Sequence, residues 1–228
     1  MRKLFSLNTE PLADEGLFEF CRKDLSDQRN ARLHRMQNAR ARRLCLGAGL
    51  LLDAALREYG LRERTAPIRR GLFGKPYLAG DTGIHFNLSH SGEKVICALS
   101  DHPVGADVQQ VEPEPRLRLA RRFFLPGEMD YIRSHPDRTA QAAAFFRLWA
   151  LKESVLKFTG QGLHLLTEFE FQLDDRPVLR RGRLSDRLQF WEDASPDYQI
   201  ALCSDRPFDG LELIPLRVAA DGSLDHAG

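Results

Sequence analysis

Residues 86–109 read FNLSHSGEKVICALSDHPVGADVQ, a run in which apolar and β-branched residues are interrupted by turn residues. This stretch decides the fold, because it predicts three short strands in succession. The first two strands, at 85–90 and 95–99, are expected to form a hairpin around the turn Ser-Gly-Glu-Lys. The third strand, at 104–109, follows a proline that ends the apolar run. We therefore expect β-structure in the middle of the chain.

Two polar side chains of the first strand, Ser89 and His90, resemble the nucleophile and base of a hydrolase. Successive side chains of a strand point to opposite faces, so these two cannot reach each other and must serve another purpose. In the third strand the same alternation places Asp107 on one face with Gly105 and Gln109, while the other face is apolar. Because glycine has no side chain, we expect open space beside the Asp107 carboxylate.

The rest of the chain adds helices and further strands. Apolar spacing and β-branched runs predict helices at 28–59, 117–124 and 141–158, and strands at 169–173, 188–191 and 198–203. At an offset of 104 residues, FNLSHSGEKVICALSDHP lies over FWEDASPDYQIALCSDRP with six identities in eighteen pairs, which indicates an internal duplication. The prediction is an α+β fold made of two similar α/β halves, residues 1–103 and 104–228.

The composition is that of a soluble globular protein: 43% of the 228 residues are hydrophobic, 29% are charged and the net charge is +1. No run of apolar residues approaches the length of a spanning helix, and the opening MRKLFSLNTEP lacks the apolar core of a signal peptide. The four cysteines are far apart and form no C-x-x-C pair, which argues against structural zinc and against a disulfide framework. We expect a cytoplasmic protein that does not associate with membranes.

Basic residues are concentrated between Arg22 and Arg43, where eight Lys or Arg residues accompany only two acids. This run has two interpretations, a solvated helix face or an anion-binding site. Nucleic acid would be the common ligand of such a site. However, the chain as a whole is nearly neutral, and no aromatic-rich strand or recognition-helix pattern accompanies the run. A small polyanion therefore fits better than a nucleic acid.

The predicted helix FFRLWALKESVLKF, residues 145–158, combines an apolar stripe with a mixed face. On that mixed face Trp149, Glu153 and Lys157 are spaced by four residues. One interpretation is a surface ion pair between Glu153 and Lys157, which would contribute about 0.3–0.5 kcal/mol. The other is the wall of a cleft, where Glu153 holds a cation and Lys157 an anion.

Five segments taken together resemble a known family. In order along the chain they are GKP (74–76), FNLSHS (86–91), GADVQ (105–109), RFFLPGE (122–128) and WALKESVLKFTGQGL (149–163). Their order and spacing resemble the surfactin-type 4′-phosphopantetheinyl transferases, and the resemblance extends from about Arg29 to Cys203. It implies an intramolecular pseudo-dimer of two α+β halves with the active site between them.

The resemblance also implies an activity. Enzymes of this family transfer the phosphopantetheine arm of coenzyme A to a serine of an apo carrier protein, and they release adenosine 3′,5′-bisphosphate. The reaction depends on Mg²⁺, a hard cation that prefers carboxylate oxygens and water. The implied partners are coenzyme A and an acyl or peptidyl carrier protein, with no nucleic acid, and the implied state is a monomer. Residues 117–133 are a candidate for the carrier-binding surface.

The family's functional residues match positions in this chain. The implied catalytic residues are Asp107, Glu153 and Lys157. The implied metal ligands are Asp107, Gln109, Glu153 and Glu128. The implied coenzyme A-binding residues are Lys75, Pro76, Ser89, His90, Arg29, Arg32, Arg43, Lys152 and Lys157.

The chain departs from the family pattern at two places. Gln109 stands where many relatives have Glu, which removes one negative charge beside Asp107. The basic residues near position 30 do not align one for one, so the choice of arginines for the 3′-phosphate stays open. The alternative interpretations are a coenzyme A-binding module that has lost catalysis and a nucleic-acid-binding protein. A metal-dependent phosphoesterase is disfavoured, because the sequence has no second cluster of metal ligands.

Overall fold

The protein is described by a computed structural model that covers residues 2–174, 176–182 and 187–227. The strands are β1 Arg2–Asn8, β2 Ile68–Arg70, β3 Pro76–Leu78, β4 His85–Ser91, β5 Lys94–Ser100, β6 Val104–Gln110, β7 Glu170–Leu173, β8 Pro177–Arg181, β9 Gln189–Ala194, β10 Tyr198–Ser204, β11 Glu212–Val218 and β12 Leu224–His226. The helices are α1 Glu15–Cys21, α2 Asp27–Arg35, α3 Ala39–Arg57, α4 Leu117–Phe123, α5 Pro126–Arg133 and α6 Arg138–Thr159. The fold is therefore mixed α/β, as predicted.

The chain forms two compact units. The first contains Met1–Arg70, Pro76–Asp101 and Gly210–Gly228, and the second contains Gly71–Lys75 and His102–Asp209. The chain changes unit after Asp101 and returns to the first unit at Gly210. The division into halves at residues 103 and 104 stays a prediction.

Helix boundaries are set by side-chain caps. The predicted helix at 28–59 is two helices, because the Asn38 side chain accepts a hydrogen bond from Ala41 N and starts α3 anew. In the same way Asp137 caps the start of α6, three residues before the predicted start. The end of α6 is fixed by Gly160, whose φ of 68° is the left-handed conformation that glycine adopts most readily.

The first unit is built on a five-stranded sheet with the order β12-β11-β1-β5-β4. β4 and β5 are the predicted hairpin, although Ser91 still pairs with Lys94, so the turn is shorter than expected. β11 runs parallel to β1 and pairs Lys3 with Glu212. α3 packs against this sheet through a leucine-rich face, which includes the fully buried Leu46 and Leu51.

The second unit is built on a three-stranded antiparallel sheet with the order β6-β10-β9. α6 packs directly on β6, and the contact is so close that a Cβ atom at Gly105 would collide with backbone atoms of Ser154 and Phe158. The expectation of open space beside Gly105 was therefore wrong, because the helix backbone fills it. This close contact brings the Asp107 face of β6 against α6.

The two units repeat one strand arrangement. β5 begins at Lys94 and β10 begins at Tyr198, which is the predicted offset of 104 residues. Each of these strands lies between its hairpin partner, β4 or β9, and an antiparallel strand, β1 or β6. The two units therefore share a three-strand arrangement, and an internal duplication as its origin stays a prediction.

Two further observations concern the cysteines and the helices. All four cysteines are buried with free thiols. Across the described residues, no helix combines the length and apolar character that crossing a membrane requires.

Candidate active site

The second unit brings together the four polar side chains that the sequence places on β6 and α6. The Asp107 carboxylate is almost fully buried, with 1% of the residue exposed. Lys157 Nζ donates to Asp107 Oδ1 at 2.6 Å, and Gln109 Nε2 donates to Asp107 Oδ2 at 2.7 Å. Glu153 lies one helical turn before Lys157 on α6. Lys157 thus bonds Asp107, whereas one of the two interpretations of the sequence paired it with Glu153.

The second carboxylate of this cluster, Glu153, has an unusual acidity. Burial and the nearby negative charge of Asp107 raise the pKa of Glu153 to about 7, and Lys157 opposes the shift. The two carboxylates are therefore close enough to repel each other. A carboxyl group with a pKa near neutrality can gain and lose a proton at physiological pH, which is what a general base requires.

The donor set of this cluster fits a hard divalent cation. Asp107 and Glu153 supply carboxylate oxygens, Gln109 has an amide oxygen, and a cation would relieve the repulsion that raises the Glu153 pKa. Across the described residues, no group of three or more His, Cys, Asp and Glu side chains is arranged to hold a metal. Mg²⁺ usually binds one or two carboxylates together with substrate phosphates and water.

Glu128 and Lys152 form a separate pair away from this cluster. Lys152 Nζ donates to both carboxylate oxygens of Glu128 at 2.8 Å, and both side chains are fully buried. Glu128 also accepts from Phe171 N and Leu125 N, and Lys152 donates to Phe169 O. Burial raises the pKa of Glu128 and lowers that of Lys152, while their mutual attraction opposes both shifts. With its oxygens occupied, Glu128 is badly placed to bind a metal, and Lys152 is equally badly placed to bind a phosphate.

Lys75 holds the end of α6. Its Nζ donates at 3.2 Å to Val104 O and to Phe158 O, a carbonyl in the last turn of the helix. Burial lowers the pKa of Lys75 to about 8. The ammonium group therefore serves the backbone of the second unit, and any contact of this residue with an adenine ring would come from its other atoms.

The first unit contains a basic cavity of about 1140 Å³. Four predicted coenzyme A residues line it, namely Arg29, Arg32, Pro76 and His90. Arg29 is already engaged, because its Nε donates to Glu63 Oε1 at 2.7 Å and its Nη1 donates to Cys45 O at 3.0 Å. Within the described part of the chain, no carboxylate lies within ion-pair distance of Arg32.

Two predicted residues lie elsewhere in the first unit. Arg43 bonds Glu93 in the β4–β5 turn at 2.9 Å and does not line the cavity. Ser89 is buried, whereas its neighbour His90 is exposed, as the alternation of the strand predicts. The structure thus brings only His90 of this pair to the cavity.

Three further arginines line the cavity, Arg35, Arg69 and Arg70, and none of them is among the binding residues predicted from the sequence. Arg35 lies within the basic run that was recognised but was not selected from it. Arg69 and Arg70 belong to β2, which is not among the strands predicted from the sequence. Ile68-Arg69-Arg70 pairs with the strand that follows Gly74-Lys75. A hairpin predicted for this part of the sequence would have indicated that the two arginines lie on a strand.

Comparison with known proteins places the chain in a family. The model of the 4′-phosphopantetheinyl transferase superfamily matches residues 103–203. A 4′-phosphopantetheinyl transferase of Bacillus subtilis is 35% identical over 181 residues, which are 76% of this chain and 79% of the relative. A second, from Bacillus pumilus, is 32% identical over 218 residues, which are 90% of this chain and 91% of the relative.

Similarity to solved structures is weaker. A holo-(acyl-carrier-protein) synthase of Bacillus anthracis aligns with 44% of this chain and 92% of its own, with 16% identity and a TM-score of 0.38. The sequence relatives are therefore the stronger finding. On their identity and coverage, the chain belongs to the 4′-phosphopantetheinyl transferase superfamily. The predicted family and the predicted class of enzyme are confirmed.

Proposed function

We propose that this protein transfers the 4′-phosphopantetheine moiety of coenzyme A to a serine of an apo acyl or peptidyl carrier protein, with Mg²⁺ as cofactor. The observation that carries this proposal is the cluster of Asp107, Glu153 and Lys157 on β6 and α6. Two mutually repelling carboxylates beside an ammonium group suit a reaction on a charged pyrophosphate.

The reaction needs one bond to form and one to break. The serine Oγ attacks the phosphorus nearer the pantetheine, and the bond from that phosphorus to the bridging oxygen of the pyrophosphate breaks. Glu153 accepts the serine proton as the general base. Lys157 neutralises the charge that develops on the departing adenosine 3′,5′-bisphosphate. Bound by Asp107 and Glu153, with Gln109 nearby, Mg²⁺ would neutralise charge on the pyrophosphate oxygens.

The basic cavity of the first unit is the proposed site of the 3′-phosphate of coenzyme A. Arg32 and His90 present cationic or hydrogen-bonding groups to it, and Pro76 supplies an apolar wall. Arg29 supports the cavity through its bonds to Glu63 and Cys45. Five residues that the family resemblance implied have no direct ligand role in this proposal, because most of their polar groups bond to other parts of the protein or are buried. They are Arg43, Ser89, Lys75, Glu128 and Lys152.

The proposed carrier-binding surface is residues 117–133, which contain α4 and α5. α4 exposes Leu117 together with three arginines, Arg118, Arg121 and Arg122. An apolar and basic helix suits an acidic partner, and the carrier proteins of this family are typically acidic. We further propose that the protein acts in the cytoplasm as a monomer without nucleic acid.

The test is transfer to a panel of purified apo carrier proteins, with fluorescently labelled coenzyme A and Mg²⁺. We expect labelled carrier with the unmodified protein. Asp107→Asn and Glu153→Gln should each lose transfer by at least about 100-fold, since each removes a carboxylate from the reacting centre. Glu192→Gln, at a carboxylate outside the cluster, is the matched control and should keep most of the activity.

A coenzyme A-binding module without catalysis is the second candidate. It is favoured by Gln109, which gives the cluster one carboxylate fewer than in many relatives. Tight coenzyme A binding without transfer to any carrier, at saturating Mg²⁺, would establish that function and contradict the first. Loss of transfer in the Glu192→Gln control would also contradict the proposed catalytic role of the cluster, because the loss would then not be specific to the cluster.

A further inference from the structure

The last turn of α6 is held by a side chain from outside the helix. The final four carbonyls of a helix have no partner within it. One of them, Phe158 O, accepts a hydrogen bond of 3.2 Å from Lys75 Nζ. The aliphatic part of the same lysine lies near the C-cap, because a Cβ atom at Gly160 would be 3.8 Å from Lys75 Cδ. Lys75 thus caps the C-terminus of α6, the end of a helix at which a cation is favourable.

The same ammonium group also bonds the beginning of β6. Lys75 Nζ donates at 3.2 Å to the carbonyl of Val104, the first residue of that strand. Gly105 follows, and a Cβ atom there would lie 2.4 Å from Phe158 N, so the strand and helix backbones are in direct contact at this point. One cation therefore bridges two carbonyl oxygens where β6 and α6 meet, and it offsets the repulsion between their like partial charges.

The reacting groups lie within a few residues of this bridge. On β6, Asp107 comes three residues after Val104. On α6, Lys157 immediately precedes Phe158. The bond of 2.6 Å from Lys157 Nζ to Asp107 Oδ1 joins the same two elements. A shift of the helix at the bridge would therefore move the Lys157 ammonium group relative to the Asp107 carboxylate.

We propose that Lys75 is a positioning residue of the transfer reaction, which holds α6 on β6 so that Lys157 stays in place beside Asp107. The inference rests on the proposed function for the identity of the reaction. Lys75 acts through the two backbone carbonyls that it bridges, and its ammonium group does not bind the substrate. Its contribution is the orientation of charged groups that would otherwise have to be ordered in each reaction cycle.

The segment that carries Lys75 suits this role, because its own backbone is fixed. Gly71 N donates to Lys75 O at 2.9 Å, and Gly74 N donates to Gly71 O at 2.9 Å, so residues 71–75 form a closed loop. This loop belongs to the same compact unit as β6 and α6. A lysine anchored in this way can hold a helix in place, whereas a lysine on an open loop would move with it.

The test measures coenzyme A affinity and turnover separately in Lys75→Met, which removes the donors and keeps an unbranched apolar side chain. Calorimetry without any carrier protein gives the Kd for coenzyme A. Transfer to an apo carrier protein at saturating substrates and Mg²⁺ gives kcat. We expect kcat to fall about 100-fold, as small displacements at a reacting centre can cost, and Kd to stay within about 3-fold.

Two further variants make the result specific. Lys75→Arg keeps a cationic donor at this position and should recover part of the lost rate. Lys23→Met makes the same change at an exposed lysine of the first unit and should keep both kcat and Kd. The unfolding transition of each variant is measured first, so that rates are expressed per folded protein.

A second measurement does not depend on activity. Native-state hydrogen exchange reports the local opening of a helix end. Peptides that cover residues 155–160 should exchange about 10-fold faster in Lys75→Met than in the unmodified protein, because the last turn of α6 has lost its cap. Peptides from α3, in the first unit, should exchange at an unchanged rate, and Lys23→Met should leave the end of α6 as it is.

The outcomes separate this inference from the proposed function. Unchanged exchange at the end of α6 in Lys75→Met overturns the bridge, and faster exchange with an unchanged kcat overturns the positioning role. An affinity for coenzyme A that falls alone, or as far as kcat, identifies Lys75 as a ligand and overturns the inference as well. If the unmodified protein modifies no carrier while exchange depends on Lys75, the proposed transfer function fails, and the role of Lys75 in holding α6 stands.

Discussion

At the scale of single residues, Lys75 combines burial with bonds to two backbone carbonyls. Its folded pKa of about 8 lies below the ordinary value of 10.5. Between these two pH values the unfolded chain therefore holds a proton that the folded protein has released. Stability contributed by this residue consequently rises with pH across that window, and it is lowest below pH 8, where the buried group is charged.

The prediction is a pH-dependent difference between the unmodified protein and Lys75→Met. The free energy of unfolding of the unmodified protein, minus that of the variant, should increase as pH rises from about 8 to 10. Urea unfolding at several pH values measures this difference. The exposed Lys23, changed to Met, is the control. A flat difference for Lys75→Met would mean that Lys75 is as easily protonated in the fold as in the unfolded chain.

The side-chain amide of Gln109 donates a hydrogen bond to Asp107 Oδ2. Gln109→Glu would replace that donor with a carboxylate beside Asp107 and Glu153. We expect Mg²⁺ to bind about 10-fold more tightly, because a third negative charge attracts the cation, and we expect the metal-free protein to be less stable. Calorimetric titration with Mg²⁺ measures the first effect, and an unchanged affinity would contradict the idea.

At the scale of elements, the contact between α6 and β6 determines the geometry of the candidate active site. It depends on Gly105, where any side chain would meet the backbone at Ser154 and Phe158. Gly105→Ala should therefore push the helix off the strand and cost about 1–3 kcal/mol or more of stability. Gly71→Ala is the control, because a Cβ there is in ordinary contact at 3.8 Å.

Transfer activity should respond to the same substitution. Displacing α6 moves Glu153 and Lys157 relative to Asp107, and small displacements at a reacting centre can cost about 100-fold in rate. Urea unfolding and the carrier-transfer assay together test both effects. Native stability in Gly105→Ala would show that the helix can shift without cost, contrary to this account.

A second contact between elements is the buried ion pair of Glu128 on α5 and Lys152 on α6. Lys152→Met leaves the Glu128 carboxylate buried without its cation and should cost about 3–5 kcal/mol. Adding Glu128→Gln should restore part of that stability, because the uncompensated charge is then gone. Affinity for coenzyme A should stay unchanged in the folded fraction. A weakened affinity without lost stability would instead support the ligand role that the family resemblance implied for Lys152.

Much of the site could be predicted from the sequence, because its motifs are local. The spacing of Glu153 and Lys157 and the alternation around Asp107 are properties of one helix and one strand. The hydrogen-bond and ion-pair partners of these side chains were harder to predict. Nothing in the sequence shows that Lys157 bonds Asp107, that Lys152 bonds Glu128, or that Arg29 bonds Glu63, since these pairs depend on how elements pack.

The fold shows the same limit. The β4–β5 hairpin was predicted because its two strands are neighbours in sequence. The inner strands β1 and β11 were not predicted, because each pairs with a partner from the other end of the chain. The break between α2 and α3 was missed as well, since the capping role of Asn38 is hidden in an otherwise helical pattern.

At the scale of the whole molecule, β11 and β12 complete the sheet of the first unit. Ile214, Leu216 and Val218 are buried in its core. Deleting residues 210–228 should therefore expose the edge of β1 and destabilise the first unit by several kcal/mol, since each lost apolar side chain contributes about 1.5–3 kcal/mol. Limited proteolysis should then cleave β1 and α3 first. Equal protection of both units in the truncated protein would contradict this prediction.

The pairing of β1 with β11 also matters during synthesis on the ribosome. The second unit ends at Asp209, and its sheet and the helix α6 all lie between His102 and Asp209. Translation of the second unit is therefore complete before translation of the first unit, which needs residues 210–228. The first unit emerges earlier but waits for the last strands to be translated. We therefore expect the first unit to begin synthesis first but to finish folding last. Until β11 is translated, the backbone edge of β1 is unpaired and is available to bind chaperones.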